Sequence, residues 1–220
     1  MFPPPIQSVS GFWNSKNFKV FITHISKHKS PAEKLQKALI PYSISSFVAH
    51  TDIEPTREWE NEILNALNAS DGLVALLHKG FHESKWTDQE IGIGVGRGLL
   101  VLSVSFGESP YGFIGRYQAL QGMGKSYDQL AREIYRIFLT HRLSRRRITE
   151  TIVNKFVEST SFDHAKRNME LLKTVEYWDD NFTKIARKAI KDNDQLSGAW
   201  GVPEALENHI NKWKADSIPF

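Results

Sequence analysis

The sequence predicts an α/β protein: a doubly wound parallel sheet over the first two-thirds of the chain, then an all-helical region. Two observations carry this expectation. From Phe18 to about residue 140, short apolar runs alternate with amphipathic helical segments, which is the rhythm of right-handed βαβ units. Beyond residue 142 the alternation stops, and apolar residues recur every three or four positions.

The elements follow in order. Phe18-Lys19-Val20-Phe21-Ile22 reads as a short buried strand. Ser30-Pro31-Ala32-Glu33 then has the residues of a capping box with proline at the first helical position, and Leu35, Ala38 and Leu39 supply the stripe of the helix it would open. Residues 44–48 make a second strand, ended by His50-Thr51-Asp52, and a helix is expected over residues 56–68 with Trp59, Ile63, Leu64 and Leu67 at helical spacing. Residues 72–77 are apolar throughout, as in a strand buried on both faces. A helix from about Ser84, a strand over 99–104, a short strand near 117–120 and a helix capped by Ser126, with Leu130, Ile134, Ile137 and Phe138 inward, complete the pattern. In open parallel sheets, ligands sit beyond the carboxyl ends of the strands where the strand order reverses. Those ends are residues 23–26, 49–52 and 78–81.

The expected organisation is an N-terminal extension (1–17), an α/β domain (18–140) and a helical region (141–220) whose stripe runs from Phe162 to Ala189 with a break near Asp179-Asp180-Asn181. So much apolar surface needs a partner, so this region is expected to help the protein associate or sense a trigger; the alternative is that the stripe packs on the α/β domain or folds on itself. The chain holds no cysteine, which excludes disulfides, thiolate metal sites and cysteine nucleophiles. No apolar run approaches a membrane span, and the residues after Met1 lack the features of a secretory signal. A cytoplasmic location is expected. The formal charge of +3 and the local basic run around residues 142–147, with no aromatic platform beside it, do not point to nucleic acid.

Several motifs compete for a function. Gly92-Ile93-Gly94-Val95-Gly96-Arg97-Gly98 has the composition of a dinucleotide loop, but it ends a helix and precedes a strand, the reverse of the required context. Its small residues are expected to let a helix pack closely on the sheet. Ala119-Leu120-Gln121-Gly122-Met123-Gly124-Lys125-Ser126 resembles a phosphate loop with alanine at its first glycine, yet no strand ends in a carboxylate suited to magnesium. His24 and His28 are four apart, as are His78 and His82, without an evident third ligand, so no metal is expected. The remaining constellation is Ser84-Lys85-Trp86-Thr87-Asp88-Gln89-Glu90. Trp86 and Glu90 lie four apart on one helix, an aromatic wall beside a carboxylate. Spacing alone favours a plainer arrangement, a buried tryptophan and an exposed glutamate.

Val20-Phe21-Ile22-Thr23-His24, residues 47–55, residues 71–77, Tyr111-Gly112-Phe113-Ile114-Gly115-Arg116 and, most specifically, residues 81–90 resemble the bacterial TIR domain family, in order and at the right spacings. The resemblance covers residues 18 to about 140 and implies a flavodoxin-like fold with a five-stranded parallel sheet. It also implies cleavage of NAD+ at the nicotinamide–ribose bond, in anti-phage immunity, with no cofactor beyond NAD+ as substrate. The family's catalytic glutamate matches Glu90, and Trp86 would flank the substrate. Thr23, His24, Asp52 and Phe81 would line the pocket, and residues 50–56 would gate it and mediate self-association, with a partner defence protein as a further expectation. Ala49, at the end of the second strand, and Thr56, in that loop, depart from the family pattern. Nicotinamide leaves as a neutral molecule, so a carboxylate facing the developing ribose cation suffices. Linear ADP-ribose and a cyclic isomer are both open as products. The alternative is a TIR scaffold that acts by self-association alone.

Overall fold

The computed structural model describes residues 13–14, 16–48 and 57–216. Among them, five strands form one sheet: β1 (Phe18–Thr23), β2 (Ile44–Val48), β3 (Gly72–His78), β4 (Leu100–Phe106) and β5 (Leu120–Gln121). All neighbours pair in parallel, in the order β2-β1-β3-β4-β5. This is the flavodoxin-like doubly wound arrangement, and its strand order reverses between β1 and β3. β1 and β3 are almost wholly buried because helices cover both faces. Phe21 faces Phe47 across one register and Leu73 across the other, and the two phenyl rings stack at 5.3 Å.

Four helices follow the strands: α1 (Lys29–Leu39), α2 (Arg57–Ala69), α3 (Lys85–Gly96) and α4 (Tyr127–Thr140). α1 corrects the sequence reading. A 3₁₀ turn over Ser26–His28 runs directly into it, so the helix starts at Lys29 and Ser30 lies inside the first turn, without a side-chain cap. In α2, Ile63, Ala66 and Leu67 are buried but Leu64, expected in the stripe, is 43% exposed. The short strand expected near 117–120 sits slightly later, at Leu120–Gln121. In α4, Tyr135 is buried where Ile137 is only half-buried. Ser126 does cap α4: its hydroxyl accepts from Gln129 N at 3.2 Å, and the Gln129 carboxamide accepts from Ser126 N at 2.9 Å.

The glycine-rich run divides by role. A Cβ on Gly94 would meet Leu73 at 3.0 Å and Val101 at 3.4 Å, so this glycine lets α3 approach β3 and β4 closely. Gly92 and Gly96 have open space around them and serve no close packing. Gly92 lies within α3, so Gly92→Ala is expected to stabilise the protein by about 0.5–1 kcal/mol through lower unfolded-state entropy. A urea melt showing destabilisation would reveal a requirement for glycine there that packing does not supply.

The chain divides into two compact units, Met1–Ile137 and Phe138–Phe220. The second contains the end of α4, then α5 (Arg145–Val157), α6 (Phe162–Leu172), α7 (Asp180–Asp192), the short α8 (Asp194–Ser197) and α9 (Val202–Asp216). The break expected near Asp179 is real: Asp179 caps α7 by accepting from Phe182 N at 2.9 Å. α5 fits the expected all-helical region, although the sequence reading singled out no helix there. It buries Ile148, Ile152, Val153 and Phe156 completely and packs on α6 and α7. Phe162, the first residue of the expected stripe, is instead 49% exposed. Asn193 ties the unit together, donating to the Val157 and Ser159 carbonyls at 3.0 Å each while accepting from Gln195 N. No helix among the described residues is long and apolar enough to cross a membrane.

Candidate functional site

The site forms at the carboxyl edge of the sheet, where β1 and β3 diverge into their loops. α3 enters from this edge. Its first turn is pinned by Thr87, whose hydroxyl donates to the Phe81 and Ser84 carbonyls at 3.0 and 2.9 Å. The residues of α3 that turn inward are Thr87, Glu90, Ile91 and Gly94, spaced i, i+3, i+4 and i+7 along one helical face. Glu90 therefore occupies a position where a core helix ordinarily places an aliphatic side chain, and it is only 3% exposed. The arrangement favoured by spacing alone is inverted: the glutamate is inside, and Trp86 is half-buried against the apolar core.

Burial sets the chemistry of Glu90. Removal from water penalises the anion and pushes the carboxyl up to about 8, and the nearby Thr23 hydroxyl works in the opposite direction. That hydroxyl is itself buried and makes no hydrogen bond of ordinary geometry among the described residues, so the two groups are close neighbours rather than a locked pair. At neutral pH the free protein holds Glu90 mainly protonated. A cation placed beside it would favour the anion and release the proton. A cavity of about 200 Å³ opens beside the carboxyl, lined by Trp86, Gln89, Glu90 and Ile93 from α3 and by Glu60, Ile63, Leu64 and Leu67 from α2. The exposed Leu64 belongs to this cavity.

Thr23 ends β1 and His24 follows it; they are 0% and 2% exposed. Phe81, expected against the substrate, has no exposed surface: it is a member of the core cluster, with Tyr111 edge-on at 6.4 Å. Tyr111 in turn donates its hydroxyl to Asp88 on α3, which fastens the segment after β4 to the helix that carries Glu90. Asp52 and the rest of the expected gating loop, residues 50–56, lie outside the described residues, as does Ala49.

Sequence reasoning missed a ring column at the same edge. His28 stacks on His78 at 3.8 Å and 11°, and His78 stacks on Phe106 at 4.3 Å and 12°. Burial, with His28 and His24 nearby, pushes His78 down to about 4, so it is neutral throughout the physiological range. Stacked imidazoles present faces to each other rather than converging lone pairs. The histidine spacings were visible in the sequence; the stacking depends on β3 and the first loop lying side by side. The phosphate-loop lookalike is committed elsewhere. Lys125 pairs with Glu133 at 2.6 Å, and a Cβ on Gly122 would clash with Phe106 and Val104 below 3.0 Å, so that glycine serves strand packing.

A family model for the TIR domain matches residues 20–135, more than half of the 220-residue chain. The chain belongs to the TIR domain family. No curated protein matches it. The matched span holds the sheet from Val20 onward and the α3 carboxylate.

Proposed function

We propose that this protein is an NAD+ nucleosidase that cleaves the nicotinamide–ribose bond, giving nicotinamide and either ADP-ribose or a cyclic isomer. The observation that carries this reading is Glu90, a carboxyl on the core-facing stripe of α3 at the strand-reversal edge, with Trp86 one turn away. A fold does not retain a buried, poorly solvated carboxyl for stability, and such groups mark functional sites. In this mechanism the cationic nicotinamide ring enters beside Trp86 and draws Glu90 into its anionic form. As the glycosidic bond breaks, positive charge moves to the ribose, and the carboxylate stabilises it. The leaving group departs neutral and needs no acid. The acceptor is water or an atom of the same dinucleotide. Thr23 tunes the carboxyl, and His24 and Phe81 shape the wall behind it. Asp52, self-association, a partner in anti-phage defence and a cytoplasmic setting belong to the same proposal.

The size of the cavity favours one second reading. At about 200 Å³ it suits a single ring and falls below the roughly 300–1,000 Å³ of ordinary ligand sites. A scaffold that acts only by assembling would need no more. Incubating the full chain with NAD+ and following free nicotinamide separates the two, at dilute protein and again at concentrations that drive association. Nicotinamide release at either concentration supports the enzyme; none at both supports the scaffold.

A further inference from the structure

The helical unit carries a second cavity, of about 500 Å³, lined by Lys173, Val175, Trp178, His209, Lys212 and Trp213. This is the size of a small-molecule site. The turn after α6 supplies one wall and α9 the other. On α9, His209, Lys212 and Trp213 stand at i, i+3 and i+4, so they share one face.

Trp178 is 4% exposed and has already spent its hydrogen-bond donor inside the fold, on Thr183 Oγ1 at 2.8 Å. What it offers the cavity is ring surface. It meets His209 edge-on, with centroids 4.8 Å apart at 81°. His209 Nε2 is buried and has no hydrogen-bond partner among the described residues. A buried polar atom left without a partner asks for a ligand or an ordered water. The imidazole is held below its ordinary value by burial and by the Lys212 ammonium one turn along α9. Lys173 is engaged with Glu170 at 2.5 Å, which leaves Lys212 as the principal cation of the cavity, and Glu176 on the rim limits how much negative charge it tolerates.

We propose that this cavity binds a planar heteroaromatic ring carrying a single phosphate, the chemistry of a mononucleotide. The ring lies against Trp178 and Trp213. The phosphate sits between His209 Nε2, which donates in the tautomer protonated there, and the Lys212 ammonium. The site lies wholly within the helical unit and does not rest on the reaction proposed above.

Calorimetric titration of the full chain with AMP, adenosine, ribose 5-phosphate and nicotinate tests this. AMP is expected to bind saturably, with adenosine and ribose 5-phosphate each about tenfold weaker or worse, because each lacks one half of the recognised chemistry. Lys212→Ala, at an exposed position, is expected to weaken AMP about five- to tenfold, and His209→Gln to weaken it as well. Lys37→Ala, in the other unit, leaves AMP binding unchanged. The proposal is overturned by no saturable AMP binding at millimolar concentration, by adenosine binding as tightly as AMP, by nicotinate binding more tightly than AMP, or by AMP binding that both Lys212→Ala and His209→Gln leave intact.

Discussion

Glu90→Gln is expected to lower NAD+ cleavage by about 10²–10³ while leaving the protein folded, because one preorganised electrostatic contact to a developing charge contributes on that order. Glutamine keeps the length, shape and helix propensity of glutamate and lacks only the anion that faces the ribose. Glu83→Gln is the control. Glu83 precedes α3 and is exposed, so its loss changes neither turnover nor melting temperature. The measurement is nicotinamide release by the three proteins, with thermal melts. A folded Glu90→Gln protein with near wild-type turnover would falsify the catalytic assignment, and another group would have to supply the chemistry.

The second large effect is on stability, and it does not depend on turnover. The Glu90 carboxyl is pushed up to about 8 in the folded chain against an ordinary value of 4.5. Below pH 4.5 it is protonated in both the folded and the unfolded chain and contributes nothing to the difference. Between pH 4.5 and 8 the unfolded chain sheds the proton while the folded chain keeps it, so stability falls as pH rises, and above about 8 the loss is complete. The full loss amounts to roughly 5 kcal/mol, of which about 4 kcal/mol falls between about pH 5 and about pH 8.5. Glu90→Gln removes the titrating group. Urea melts at about pH 5 and about pH 8.5 are expected to show wild type losing stability relative to Glu90→Gln on that order, with the variant the more stable protein at neutral pH. The same proton predicts that kcat/KM for NAD+ climbs about tenfold per pH unit up to about pH 8 and then levels. Parallel stability curves for the two proteins would show that Glu90 ionises normally, and the explanation by burial would fail.

The central strand was legible because a parallel sheet covered on both faces writes itself as a continuous apolar run: residues 72–77 of β3 need no tertiary information to find. α5 was not legible, for a local reason. Ile148-Thr149-Glu150-Thr151-Ile152-Val153 is rich in β-branched residues with poor helix propensity, and only packing against α6 and α7 makes it a helix. At the site, the identity of Glu90 could be read and its burial could not. α3 combines isoleucines, glycines and a tryptophan with little amphipathic contrast, so its sequence does not say which face turns inward. Gly94 against Leu73 and Val101 decides that, and with it the environment of the carboxyl. The cavity between Trp178 and His209 joins residues more than thirty positions apart that no spacing rule connects.

β5 is a strand of only two residues, paired to β4 through Val104↔Leu120 and Ser105↔Gln121 and extended by a single bond from Gly122 N to the Ser105 carbonyl at 2.8 Å. A short border of this kind protects against runaway assembly, since it offers an incoming chain few open rungs on which to continue the sheet. The protection hangs on one missing side chain. Phe106 and Val104 would sit less than 3.0 Å from a Cβ at position 122, so even alanine there would push the border away from β4 and uncover the longer seven-residue strand behind it. Gly122→Ala should accordingly shift the protein toward aggregates that grow with concentration, visible as rising light scattering at temperatures where the wild type stays clear.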